Sequence, residues 1–203
     1  MKTSYANTVI ESIKQKKQTK TLNFFHIPKC AGSYVNKIVR DLGIETMEHR
    51  RPTGNEDKIT FTVIRHPIER YESWLNYILN EDKPRNEWPK NLNYIYENKS
   101  KQSLNDVLKL MTDKDILGFK NGYGNLTNWI NIDIFIKVEQ LHWFLSYFGY
   151  DYNINDYEKI NVSKKLRGTL DESSKNRLTR LFKQDIDMYN KKLLIDDIKS
   201  VIL

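Results

Sequence analysis

Two segments of the chain each end an apolar run on a cation and pass directly into a helical pattern. The first is "FFHIPKCAGSYV", residues 24–35, where Lys29 is followed by Cys30, Ala31, Gly32 and Ser33 before the aromatic Tyr34. A strand, a turn with almost no side-chain bulk and a helix start make a cradle for an anion. The helix N-terminus presents unsatisfied N–H groups and the positive end of its dipole. Ala31, Gly32 and Ser33 let the backbone come close, Lys29 supplies a point charge, and the Ser33 hydroxyl adds a donor. The second segment is "FTVIRHPIERYESW", residues 61–74, which ends its run on Arg65 and carries Ser73 two helical turns later. A guanidinium forks naturally onto phosphate oxygens.

The phosphate loop of nucleotide triphosphatases has the order G-x-x-x-x-G-K-[ST]. Here the lysine precedes the glycine, and no G-K-S/T occurs anywhere in the chain. An enzyme of that type is therefore disfavoured.

The elements that must position these residues follow from hydrophobic period. Residues 4–17 read as a basic amphipathic helix within an N-terminal segment 1–20. Residues 22–27 form a buried strand and 33–42 a helix closed by Gly43. "ITFTVI", residues 59–64, is a second strand, and Ile68, Tyr71, Trp74, Leu75 and Ile78 recur with helical period behind Pro67. Residues 80–101 are polar, with Trp88, Tyr94 and Tyr96, and read as an excursion suited to an acceptor lid. Ser103 caps a helix to residue 111, with Asp106 three positions on. Residues 118–128 are loop, 132–138 a third strand, 139–148 a helix, 150–168 mostly loop, and 171–192 one long amphipathic helix. Strands alternating with helices predict an α/β fold with a largely parallel sheet.

The chain has 203 residues, enough for a single domain over 1–203 with a substantial core. Its net charge of +7 favours an acidic partner without choosing one. The lysines are dispersed rather than striped along one face, which argues against nucleic acid. One cysteine, Cys30, excludes an internal disulfide and a Cys/His metal cluster. No apolar run approaches the roughly 20 residues that span a bilayer, and the N-terminus lacks the apolar core of a signal peptide. The simplest reading is a cytoplasmic protein.

Taken together, "HIPKCAGSYV" and "VIRHPIERYESW" resemble the two cofactor-binding signatures of sulfotransferases that use 3′-phosphoadenosine 5′-phosphosulfate (PAPS), and the form H-I-P-K-x-A-G-S resembles the carbohydrate-acting branch. The resemblance is sharp over residues 22–43 and 59–75 and weaker in 132–141 and 160–189. It implies a three-layer, P-loop-like α/β fold with a central, mostly parallel sheet flanked by helices. It implies that Lys29, Cys30 (through its backbone), Ala31, Gly32 and Ser33 hold the 5′-phosphosulfate. By the same resemblance Tyr34 lies near the adenine, Arg65 and Ser73 grip the 3′-phosphate, and Lys165 and Arg167 in "NVSKKLRG" close over the nucleotide. Two positions depart from the pattern: Cys30 stands where threonine or serine is usual, and His66 where asparagine or aspartate is usual. Cys30 also suggests sensitivity to thiol reagents.

The implied reaction moves a sulfuryl group to an acceptor hydroxyl, with a glycan as the favoured acceptor and no metal required. Lys29 then stabilises the leaving phosphate, and a histidine or carboxylate must take the hydroxyl proton. His49, in "ETMEHRRPTG", is the first candidate for that base, with Glu48 and Glu45 as alternatives. His26, His66 and His142 are assigned supporting or packing roles, and the alternative reading of "HRR" has Arg50 and Arg51 hold an anionic acceptor. Two other readings remain: a nucleotide-binding pseudoenzyme, and a small-molecule kinase of P-loop-like fold.

Overall fold

Leu22–His26 (β1) and Ile59–Val63 (β3) are short runs buried along almost their whole length. Central strands of a parallel sheet read this way, as continuous rather than alternating apolar segments. The computed structural model describes residues 21–48, 50–54, 56–80, 103–117, 126–129, 131–157 and 168–192. Outside them lie the 1–20 segment, the 80–101 lid beyond residue 80, His49, and Lys165 with Arg167. The chain divides into two compact units: residues 1–65, 127–161 and 187–203 form the first, and residues 66–126 and 162–186 the second.

The first unit is built on a four-stranded, wholly parallel sheet in the order β2-β1-β3-β4, where β2 is Glu45–Glu48 and β4 is Ile134–Ile136. Helices α1 (Gly32–Asp41) and α4 (Leu141–Tyr147) pack on one face of it. Their Val35, Ile38, Val39, Phe144 and Leu145 meet Leu22, Phe24, Phe61 and Ile136, with Phe61 between the rings of Phe24 (5.2 Å) and Phe144 (4.8 Å). The other face carries Phe25, Thr60, Thr62 and Phe135, which are also buried. A sheet buried on both faces and flanked by helices is the α/β architecture expected of a three-layer fold.

Two buried threonines are satisfied inside the sheet. Thr62 Oγ1 donates to the Phe25 carbonyl (2.6 Å), and Asp133 Oδ2 accepts from both the N–H and the hydroxyl of Thr60 (2.9 Å each). α1 ends in a Schellman motif. Gly43 (φ 71°) donates to the Arg40 carbonyl at 2.9 Å, and Ile44 to Val39 at 2.8 Å.

In the second unit α2 (Pro67–Asn80), α3 (Leu104–Leu110) and α5 (Glu172–Leu181) enclose Tyr71, Trp74, Leu79, Leu108, Leu178 and Phe182. Ser103 and Asp106 form the capping box that starts α3. Its last carbonyls are met by Arg177, whose Nη1 donates to Leu108 (2.6 Å) and Nη2 to Met111 (2.7 Å), while Nε donates to Asp113 (2.8 Å).

Four boundaries differ from those the sequence suggests. β2 was not foreseen, because "ETME" is a half-exposed edge strand with no apolar run. The strand over 132–138 shrinks to Ile134–Ile136. Ile132 closes a turn onto Trp129 (3.1 Å), and Val138 opens the 3₁₀ turn Val138–Gln140 that leads into α4. Residues 126–129 are a 3₁₀ turn rather than open loop. The single helix over 171–192 is two, α5 and α6 (Lys183–Lys192), parted at Phe182, whose φ of −103° and ψ of 19° leave the helical range.

Candidate anion-binding site

The order of strands marks a candidate position for a ligand. From β1 the chain crosses through α1 to β2 on one side, then passes to β3 on the other, so the topology reverses between β1 and β3. In open parallel sheets ligands bind outside the carboxyl ends of the strands at such a point. β1 and β3 are adjacent and parallel, with Leu22 opposite Ile59 and Phe24 opposite Phe61. The segments that follow them therefore leave the same sheet edge side by side. One carries Lys29, the other Arg65, and both side chains are half-buried.

The loop between β1 and α1 has an unusual backbone. Lys29 (φ 65°) and Ala31 (φ 58°, ψ 20°) are left-handed, and Cys30 and Gly32, which alternate with them, are not. Alternating handedness turns successive N–H groups toward one concavity, the nest that binds anions in phosphate loops. A left-handed non-glycine residue costs on the order of 1–3 kcal/mol and survives only where its surroundings over-determine it. Here the turn is held by the Cys30 N–H donating to the Ile27 carbonyl (3.3 Å) and by Val35 donating to Ala31 (3.1 Å). Ala31 is the N-cap of α1 and offers no side-chain cap.

Each residue of the first signature can now be placed. Ser33 is exposed on the first turn of α1. Tyr34 is half-buried against the sheet core beside Tyr152 and Tyr157, and burial raises its hydroxyl pKa. Cys30 forms no internal disulfide and is only 2% exposed, so it serves the loop through its backbone. The suggested sensitivity to thiol reagents is at odds with a sulfur so enclosed. Gly32 has a further reason to be glycine: the space a Cβ would fill is taken by the imidazole of His26, its Nε2 edge foremost.

The end of β2 reaches the same sheet edge, since His26 pairs in register with Glu48. Glu48 Oε1 accepts from Asn36 Nδ2 (3.0 Å) and Arg40 Nη2 (2.7 Å), and Asn36 Nδ2 lies 3.5 Å from His26 Nδ1. Glu45 is at the opposite end of β2 and pairs with Lys58 (2.8 Å). Arg50 and Arg51 are exposed.

Ser73 lies on α2 in the second unit. His66 stands just before α2, where its Nδ1 accepts from the N–H of Ile68 (3.4 Å) and its carbonyl from Arg70 (2.9 Å). An asparagine or aspartate would cap the helix in the same way, which accounts for the departure at this position. His142 is exposed, with its ring edge on Tyr152 at 5.0 Å.

The sequence reading missed Arg70. It is only 8% exposed and sits one turn before Ser73, on the same side of α2. Its signal was an arginine three positions before a candidate serine, in "IERYES". Asn36 was also missed, because nothing in its local pattern marks a polar residue on the buried side of α1.

Among the described residues no group of three or more His, Cys, Asp or Glu side chains is arranged to hold a metal ion, and no helix is long and apolar enough to cross a membrane. The chain matches no known family, curated protein or solved structure with which it was compared.

Proposed function

We propose that the protein is a sulfotransferase that takes a sulfuryl group from PAPS and transfers it to an acceptor hydroxyl, with a carbohydrate as the acceptor class. The observation that carries this reading is the loop of alternating handedness between β1 and α1. It lies at the switch point of a parallel sheet, contains Lys29, and adjoins the segment bearing Arg65. Two cations and a nest of N–H groups are a donor set for a nucleotide with anionic groups at two ends.

In the proposed step the acceptor oxygen bonds to sulfur, the bond from sulfur to the 5′-phosphate oxygen breaks, and the hydroxyl proton passes to a base. The products are a sulfate ester and 3′,5′-adenosine bisphosphate. Lys29 and the loop N–H groups meet the charge that gathers on the leaving phosphate. His49 is the proposed base. Its rivals are less suited, because Glu48 is occupied by Arg40 and Asn36, and Glu45 by Lys58.

The test is a thermal shift with 3′,5′-adenosine bisphosphate in chelator, beside ATP with magnesium. At a hundredfold excess over its dissociation constant the bisphosphate should add about 2.7 kcal/mol of stability. Stabilisation by ATP–magnesium alone would instead favour a kinase. If the bisphosphate does bind, transfer from labelled PAPS to a glycan and phenol panel separates an enzyme from a binding protein and identifies the acceptor.

A further inference from the structure

We propose that His26 is the positioning residue of the anion loop, a fixed wedge whose imidazole sets the path of the backbone through Gly32. The proposal rests on the reading of that loop as the nucleotide's anion site.

Three observations support it. First, Glu48 decides the orientation of the Asn36 amide. A carboxylate oxygen 3.0 Å away can only accept, so the amide must turn Nδ2 toward it. The same Nδ2 faces His26 Nδ1 at 3.5 Å, so the Nδ1 edge of the ring is turned toward α1. The opposite, Nε2 edge is then turned toward the loop. Second, it is this Nε2 edge that fills the place of a side chain at Gly32. The glycine is the first residue of α1 and directly follows the left-handed Ala31. Third, β1 fixes the backbone of His26, and the Asn36 amide that faces its ring is itself bonded to Glu48 of β2, on which Arg40 closes at 2.7 Å. In the proposal this wedge stays in place, and bulk added at Gly32 displaces the loop instead.

The experiment is a double-mutant cycle of Gly32→Ala and His26→Ala. Two quantities are read for every chain: the thermal midpoint without ligand and the affinity for 3′,5′-adenosine bisphosphate. Gly32→Ala should lower the midpoint and weaken the nucleotide at least tenfold. His26→Ala should weaken it several-fold with little change in midpoint. The double variant should be no worse than His26→Ala alone, because the alanine methyl then enters vacated space. Losses that multiply across the two sites overturn the proposal, as does Gly32→Ala binding like the wild type. Midpoints that move while affinity stays constant also overturn it, since the ring would then be structural only. If Gly32→Ala does not fold, a folded double variant supports the wedge, and a double variant that fails where His26→Ala folds overturns it. Should the wild type itself not bind the nucleotide, the functional reading falls. The wedge is then judged from midpoints alone: non-additive changes support it and additive ones overturn it.

Discussion

Arg40 Nη2 lies 2.7 Å from Glu48 Oε1, and that same carboxylate oxygen accepts from Asn36. With both donors on it, Glu48 is proposed to brace the end of β2 rather than to take the substrate proton. Glu48→Gln keeps an accepting oxygen for both neighbours, so turnover should stay within about threefold of wild type. His49→Ala should lose on the order of 10²–10⁴-fold, the usual contribution of a general base, with nucleotide affinity nearly intact. Turnover and bisphosphate affinity measured on both variants decide the matter. Loss of activity in Glu48→Gln but not in His49→Ala would move the base to Glu48.

Lys29 and Arg65 flank the same edge of the sheet but are assigned different work. Arg65 is proposed to hold a phosphate that does not change during the reaction. Its removal to alanine should weaken the bisphosphate by roughly 1.5–3 kcal/mol, the scale of a charged hydrogen bond. Lys29 is proposed to meet charge that appears only as the S–O bond breaks. Lys29→Ala should therefore cost turnover more than affinity, by roughly 2.7–4 kcal/mol in the barrier, by analogy with the loss of one transition-state donor. Titration calorimetry gives one quantity and single-turnover transfer the other. Wild-type turnover in Lys29→Ala would remove it from the chemistry.

What could be read from the sequence, and what could not, divides along physical lines. β1, β3 and α2 were legible because burial on a fixed period leaves a local trace, as in "LNFFH" and in Ile68, Tyr71, Trp74, Leu75 and Ile78. The Gly43 stop and the Ser103 cap were legible because each satisfies backbone groups within a few residues. Edge strand β2 left no trace: its four residues are held by pairing with β1 and by ion pairs to Arg40 and Lys58, partners that lie outside the strand itself. The cationic loop could be found from "PKCAGS", yet the tie from Gly32 through His26 and Asn36 to Glu48 could not. It joins positions that only the β1-α1-β2 crossover brings together.

Acid should loosen the second unit as its hydrogen-bonded carboxylates take up protons. The hydrogen bond from Arg177 holds the carboxyl of Asp113 below the usual carboxylate range, Ser103 does the same for Asp106, and the Ser174 N–H for Asp171. A carboxylate with a depressed folded pKa leaves the folded state binding fewer protons than the unfolded one. Its stabilisation is complete above the unfolded value of about 3.9 and disappears as pH falls through the lowered folded value. Asp113→Asn should accordingly lower the urea midpoint at pH 7, and the gap from wild type should narrow as pH falls below about 3.9. A gap that stays constant from pH 7 to pH 3 would mean that the charge on Asp113 contributes nothing.

Ala31 offers a way to measure the strain in the loop without touching its charges. Its φ of 58° and ψ of 20° lie in the left-handed region, which costs an L-residue roughly 1–2 kcal/mol. Glycine adopts that conformation freely but gives up about 0.5–1 kcal/mol to the greater freedom of its unfolded chain. It is also a better N-cap than alanine, and Ala31 supplies no cap of its own. The balance makes Ala31→Gly neutral to stabilising, by up to about 1 kcal/mol, where the same change inside a helix would destabilise. The measurement is the denaturation midpoint of the variant with and without 3′,5′-adenosine bisphosphate. If the left-handed residue preorganises the nest for an anion, a loop freed by glycine should bind the nucleotide more weakly even though the unliganded fold is no less stable. A variant that loses stability by the ordinary helical penalty would show that the strain at Ala31 is absent. Unchanged affinity would show that the strain serves the fold and not the ligand.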